Sequence, residues 1–227
     1  MIGVSVSDPS YLKIAGVIGD VHAEDELLEA ALNYFASKSV DSVLCTGDIA
    51  GGSGSLAKCC ALLQRHKART VRGNHDRWFL SPTMRELSGG NLDGDILPEV
   101  KQYLDSLMPT LDFKTAHGAA LLCHGLGEND MAKVGAEDFG YAIDANQELQ
   151  TLLKHKRYRF VINGHSHHAM VRHFPGLTVI NAGSLRRSQN PGFSMLDFES
   201  KQVQMLRFSE ARQVVVDKTV PLLENSL

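Results

Sequence analysis

Apolar residues along the first third of the chain alternate between two patterns. Lys13 to Gly19 is a short apolar run suited to a buried strand, and Glu24 to Ser37 follows with Leu27, Leu28, Ala31, Tyr34 and Phe35 at helical spacing. Ser42 to Thr46 repeats the strand pattern and leads into a glycine-rich turn, Gly51 to Gly54. Ser55 can cap a helix whose apolar face is Leu56, Cys59, Cys60 and Leu63, and Ala68 to Arg72 reads as a third strand. Strands separated by helices predict βαβ units and a parallel sheet, because parallel neighbours need a crossover element between them.

From Arg77 to Leu111 the pattern loosens. A stretch from Gly89 to Gly94 precedes a short helix starting at Pro98, with Val100, Tyr103, Leu104 and Leu107 on one face. Residues 77–111 therefore read as a lid or insertion, with a plain solvated connection as the alternative. Thr110 to Thr115 and Ala119 to Cys123 then form a hairpin turning at His117 and Gly118. A helix over Ala142 to Leu153 follows, with Ala145, Leu149, Leu152 and Leu153 facing the core. Further strands are predicted at Arg159–Ile162, Leu177–Ile180, Phe193–Phe198, Val203–Phe208 and Gln213–Val216, close enough to pair antiparallel. The predicted fold is α/β: a four-layer α/β/β/α sandwich of two mixed sheets flanked by helices, in one domain spanning residues 1–227.

Composition narrows the partners. A chain of 227 residues, 43% hydrophobic and 22% charged, is long enough for one sizeable core. The net charge of -3 supplies no domain-wide positive field, so a nucleic-acid partner is not expected. The basic cluster Lys154 to Arg159 lies where a helix should end, and cations there favour the negative end of its dipole. Cys45, Cys59, Cys60 and Cys123 stand in apolar surroundings without CxxC spacing and read as free buried thiols. The run Ile14 to Ile18 is too short to span a bilayer and no basic region precedes a long apolar core, which predicts no membrane contact and a cytoplasmic location. Oligomeric state is left open.

Four polar strings carry the chemistry: GDVH at Gly19 to His22, TGDI around Asp48, GNHD at Gly73 to Asp76, and GHSHH at Gly164 to His168. Each follows an apolar or β-prone run and so falls at a strand end, where ligands bind in open α/β sheets. Two divalent ions about 3.5–4 Å apart can clamp a phosphate and activate a water, given a bridging carboxylate, neutral imidazoles and open positions. Alone, each Asp or His after a strand reads equally as a turn former or helix cap. Their order and joint presence favour a metal site.

These blocks, with His124 and the NAGS string at Asn181 to Ser184, resemble the calcineurin-like metallophosphoesterase superfamily, of the bacterial phosphodiesterase or phosphatase type. The resemblance runs from Gly19 to Ser184. It implies that Asp20, His22 and His167 bind one metal, that Asn74, His124 and His165 bind a second, and that Asp48 bridges them. Manganese, iron and zinc all suit such mixed carboxylate and imidazole ligands. His75 matches the family's non-ligand histidine, whose imidazolium would hold the phosphate or protonate the leaving alkoxide. The implied reaction is in-line attack by a metal-bridging hydroxide on a phosphodiester or phosphomonoester of a small or nucleotide substrate.

Asn74 and His75 would also touch substrate, and Arg186, after NAGS, can bind phosphate bidentately; a surface role for it or Arg187 is the alternative. His165 and His167 share one direction only if their segment is extended, which turns His168 away. Asp76 can orient a neighbour or cap a helix. GDIAGG and GNHD depart from the GDxxDRG and GNHE of the protein Ser/Thr phosphatases, which argues against phosphoprotein substrates. Two rival functions remain: a non-catalytic scaffold of the same fold, disfavoured by the complete ligand set, and a nuclease. The nuclease would need a Lys- and Arg-lined groove, which 23 basic against 26 acidic residues allow only through local clustering.

Overall fold

Because helices cover one face of its sheet and a second sheet covers the other, β1 (Ile14–Ile18) is buried along nearly its whole length. A computed structural model describes residues 11–81 and 97–223. In it α1 (Asp25–Ser37) and α2 (Leu56–Arg65) carry the chain from β1 to β2 (Ser42–Cys45) and on to β3 (Arg69–Thr70), all three strands parallel. The Ser55 hydroxyl caps α2 by accepting from the Lys58 amide at 3.1 Å. Two shorter helices, α3 (Asn74–Leu80) and α4 (Pro98–Ser106), follow.

The second half supplies β4 (Thr110–Thr115), β5 (Gly118–Cys123), α5 (Tyr141–Asp144), α6 (Gln147–His155), β6 (Phe160–Asn163), β7 (Met170–Phe174) and β8 (Leu177–Asn181). A 3₁₀ turn at Arg187–Gln189 precedes β9 (Gly192–Asp197), β10 (Gln202–Phe208) and β11 (Val214–Pro221). The sheets run β11-β10-β9-β1-β2-β3 and β4-β5-β6-β8-β7. Both are mixed: β9 pairs antiparallel to β1, while β5, β6 and β8 form a parallel centre flanked by antiparallel β4 and β7.

Three apolar layers hold this stack together. Leu28, Phe35, Cys59, Leu63, Leu104 and Phe193 pack helices onto the first sheet, Val17, Leu44, Phe160, Ile162 and Phe198 fill the space between sheets, and Leu121, Leu149, Val161 and Val179 pack α6 on the second. Fully burying each such large side chain contributes about 1.5–3 kcal/mol. The α/β/β/α order is therefore the one the sequence predicts. All four cysteines are buried and free, and burial pushes the Cys60 and Cys123 thiols up to about 12. Among the described residues, no helix is long and apolar enough to cross a membrane.

Several boundaries differ from the sequence reading. The expected helix at Ala142–Leu153 is two helices, broken where the Asn146 side chain accepts from the Leu149 amide at 3.1 Å; Ala145 is exposed rather than in the core. Edge strand β7 escaped notice because only Met170 of its five residues is fully buried, so Arg172 and His173 mask the alternation. α3, at seven residues, is too short to show periodicity. β11 extends to Pro221 rather than stopping at Val216, its mostly exposed residues held by pairing with β10. The hairpin turns at Ala116 and His117, one residue early, and β3 is shorter than Ala68–Arg72. Within 77–111, Trp78, Phe79, Val100, Leu104 and Leu107 belong to the core; the stretch Gly89 to Gly94 lies outside the described residues.

Candidate metal centre

The parallel strands of both sheets end on the same side of the molecule. β1 runs into Asp20 and His22, β2 into Asp48, β3 into Asn74 and His75 at the start of α3, β5 into His124, and β6 into His165 and His167. Backbone hydrogen bonds lace these ends together. The Val21 and His22 amides both donate to the Asp48 carbonyl (3.0 and 2.8 Å), and the Gly164 amide donates to the His124 carbonyl (2.9 Å). The Asn181 side-chain amide donates to the Gly164 carbonyl at 2.5 Å, while its carbonyl accepts from the Gly183 amide at 2.9 Å.

His22, Asp48, His165 and His167 all have left-handed backbones, with φ of 47°, 47°, 66° and 60°. Left-handed conformations at such residues cost on the order of 1–3 kcal/mol each and persist where the surroundings impose them. The expectation that His165 and His167 need an extended segment to face one way is thus corrected. Two αL residues in a tight bend aim both rings into the site, and His168 remains exposed.

Two groups of side chains result, with Asp48 between them. In the first, the His22 and His167 Nε2 atoms are 3.0 Å apart and Asp20 Oδ2 is 3.2 Å from His167 Nε2. In the second, His124 Nε2 and His165 Nδ1 both point at Asn74 Oδ1, at 2.8 and 2.9 Å. Asp48 Oδ1 lies 3.4 Å from His124 Nε2, and potential ligand atoms of Asp48 fall within 4.8 Å of those of Asp20 and His124 on one side and of His22 and His75 on the other. All seven residues expected as ligands are brought together.

Burial and mutual charge set the protonation states. Burial opposes a charged His124, but the Asp48 carboxylate and a hydrogen bond to it outweigh that, pushing the imidazole up to about 10. Burial acts against Asp48 too, yet the His124 charge holds its carboxyl well below the usual range. Burial drives His22 down to about 3 and His165 to about 4, and lifts Asp20 to about 7. The result is several neutral imidazoles around one ion pair.

This donor set fits metal ions. Asp20 Oδ2 is buried without a hydrogen-bond partner, a cost of about 1–3 kcal/mol for such a group. The facing Nε2 atoms of His22 and His167, and the two imidazole nitrogens converging on Asn74 Oδ1, are arrangements that a shared cation can occupy. His124 Nδ1 donates to the Thr46 carbonyl at 2.8 Å and His167 Nδ1 is held by Gln189 Oε1, which leaves each Nε2 facing inward. A ligating histidine fixed through its other nitrogen is a recurrent feature of metal sites.

Residues 13–201 match the model of the calcineurin-like phosphoesterase superfamily domain. The chain belongs to that superfamily.

Other likenesses are a short stretch of sequence and, for solved structures, the fold. An uncharacterized protein of Methanocaldococcus jannaschii is 35% identical over 60 residues, a stretch covering 26% of this chain and a quarter of that protein's length. The structure of a metallophosphoesterase from Sphaerobacter thermophilus superposes with a TM-score of 0.63 at 20% identity, covering 87% of this chain and 88% of that one. A phosphoesterase from E. coli superposes at 0.55 with 17% identity, over 92% and 100%.

His75 borders the two groups, its ring within 4.8 Å of potential ligand atoms of His22 and Asp48 but outside both sets of close contacts. Its amide donates to Asp48 Oδ1 at 2.8 Å, its Nε2 is 3.9 Å from Asp48 Oδ2, and its ring packs at 5.1 Å from that of Trp78. Burial lowers its pKa, Asp48 opposing and His124, His167 and Arg186 assisting. Half-buried Arg186 is near enough that its charge also disfavours protonation of His22 and His167. Arg187 is held elsewhere, by Glu24 and Glu26 at 2.7 Å each.

Asp76 does both things the sequence allowed. Its Oδ2 accepts from the Gly73 amide at 2.9 Å, capping α3, and its Oδ1 accepts from the Ile49 and Ala50 amides at 2.8 and 3.0 Å, tying the loop after Asp48 to that cap. Sequence reasoning missed three supporting residues. Gln189 holds His167, Trp78 walls His75, and Gly51, at φ 90°, lies so close that an added Cβ would come within 2.3 Å of His75 Nδ1. No local pattern marks Gln189 or Gly51, whose partners His167 and His75 lie 22 and 24 residues away, whereas Trp78 stands three residues after His75 on the same short helix.

Proposed function

We propose that this protein is a dinuclear-metal phosphoesterase acting on a small phosphorylated substrate, a phosphodiester or a phosphomonoester. The observation that carries the reading is the position of Asp48, whose carboxylate lies within ligand reach of residues in both groups. On this reading Asp20, His22 and His167 hold one ion, Asn74, His124 and His165 the other, and Asp48 both. Two such ions, when bound, supply Lewis acidity at the phosphoryl oxygens, a lowered pKa for the attacking water, and positive charge in excess of the two carboxylates. Mixed imidazole and oxygen donors suit manganese, iron or zinc.

The chain's own contribution is to orient and to move one proton. Arg186 can donate a forked pair of hydrogen bonds to phosphate oxygens. His75, neutral in its buried setting, gains affinity for a proton when a negatively charged phosphate arrives, and can then pass that proton to the departing alkoxide. The Trp78 ring and Gly51 keep the imidazole aimed there.

Hydrolysis of p-nitrophenyl phosphate and its bis ester, with and without chelator, tests the reading in parallel with metal analysis of variants. Asp48→Ala is expected to lose most bound metal and activity. His75→Ala is expected to keep its metal and to lose about 10²–10⁴-fold in rate, most severely with poor leaving groups. Full metal occupancy in active Asp48→Ala protein would overturn the proposal.

A further inference from the structure

A cleft of about 250 Å³ opens beside His167 and extends to the β10–β11 hairpin. The hairpin register shifts at this point: Met205 pairs with Lys218 but Leu206 pairs with Val216, leaving Asp217 as an extra residue on β11. Adjacent side chains of a regular strand point to opposite faces, and a bulge breaks that alternation. Asp217 and Lys218 consequently both line the cleft. Arg207 Nε donates to Asp217 Oδ1 at 3.1 Å, which offsets the one acidic charge there. Lys218 has no ion-pair partner among the described residues, so the cleft carries an excess of positive charge.

His168 and Asn190 add polar groups at the same cleft. No Phe, Tyr or Trp lines it, so it offers no face on which a nucleobase or phenyl ring could stack. Its volume falls below the roughly 300–1,000 Å³ of pockets that enclose drug-sized ligands, so the occupant is small.

We propose that this cleft binds the alcohol half of the phosphoester and selects a small, non-aromatic alcohol bearing a second anionic group, a carboxylate or a further phosphate. The inference rests on the phosphoesterase reading, because a phosphate held at the candidate metal centre would direct the rest of the ester past His167 into the cleft. Lys218 is the specificity-determining residue, and the bulge at Asp217 is what brings it to bear.

Steady-state kinetics of the manganese-loaded protein on matched esters test this. 2-Phosphoglycerate differs from glycerol 2-phosphate by a carboxylate in place of one hydroxymethyl group, and 2,3-bisphosphoglycerate adds a second phosphate. The wild type is expected to prefer at least one anionic ester over glycerol 2-phosphate by tenfold or more in kcat/KM; which one identifies the anion. Lys218→Gln should reduce that preference severalfold and Lys218→Glu should abolish it, chiefly through KM. A wild-type ratio near one, a stronger preference for p-nitrophenyl phosphate, or an unchanged ratio in both variants overturns the cleft proposal while leaving the phosphoesterase reading intact. Inactivity of the metal-loaded wild type on every ester overturns both.

Discussion

The Nε2 atoms of His22 and His167 stand 3.0 Å apart, although the residues are 145 positions apart in the chain. Only one proton fits between them, and the unpaired Asp20 Oδ2 lies 3.2 Å from the same His167 nitrogen. Loading with Mn²⁺ or Zn²⁺ is therefore expected to raise Tm, by mass action on the folded state. His22→Ala and His167→Ala should each weaken that response. A thermal melt that ignores both metals would contradict the assignment of this group as a metal ligand set.

Metal uptake should release protons. His124, lifted to about 10, carries a proton at pH 7 in the metal-free protein, and that proton competes with a metal for Nε2. Because the pKa is raised, the competition is complete well below about 10 and fades as pH approaches it, so affinity climbs with pH through the neutral and mildly alkaline range. Calorimetric titrations at pH 7 in buffers of different ionisation enthalpy should show net proton release, against which a buffer-independent heat would count.

Gly51→Ala sets a backbone requirement against a catalytic one. The added methyl meets His75 Nδ1 and must also adopt φ near 90°. The variant is expected to lose about 1–3 kcal/mol of stability to the strained backbone. It should keep its metal content and fall toward the activity of His75→Ala. Wild-type turnover by Gly51→Ala would show that the imidazole can be displaced without consequence.

Asp76→Asn tests the tie between the two ligand loops. The carboxylate accepts from three amides and the carboxamide offers a single acceptor oxygen, so at least one buried amide loses its partner. A buried amide left without its partner costs about 1–3 kcal/mol, so a loss of that size is expected. Urea denaturation of the metal-free protein reads it directly. A loss below half a kcal/mol would mean that the loop holds without this carboxylate.

Much of the site could be read before the fold was known, because metal ligation is coded by residue type and strands announce their ends. Gly19 to His22, Asp48, Gly73 to Asp76 and Gly164 to His167 were each legible as polar groups after apolar runs. Other features were not. Edge strand β7 has four of five residues only half-buried, so burial left almost no alternation to detect. Gln189 sits in a three-residue 3₁₀ turn whose sequence reports nothing of the imidazole it holds. Arg186 and Arg187 are neighbours of identical chemistry, and only the positions of Glu24 and Glu26 decide that Arg187 is the one taken up in surface ion pairs.

Hydrophobic periodicity and the ordered polar strings thus determined the α/β class, the layered arrangement and the list of candidate ligands, since these follow from side-chain type and spacing along the chain. Tertiary structure alone decided that left-handed bends rather than an extended segment aim His165 and His167, that Gln189 holds the His167 ring, and that a bulge places Lys218 at the cleft. Those outcomes depend on packing two sheets against each other and on contacts between distant residues, and local sequence holds no energy term for either.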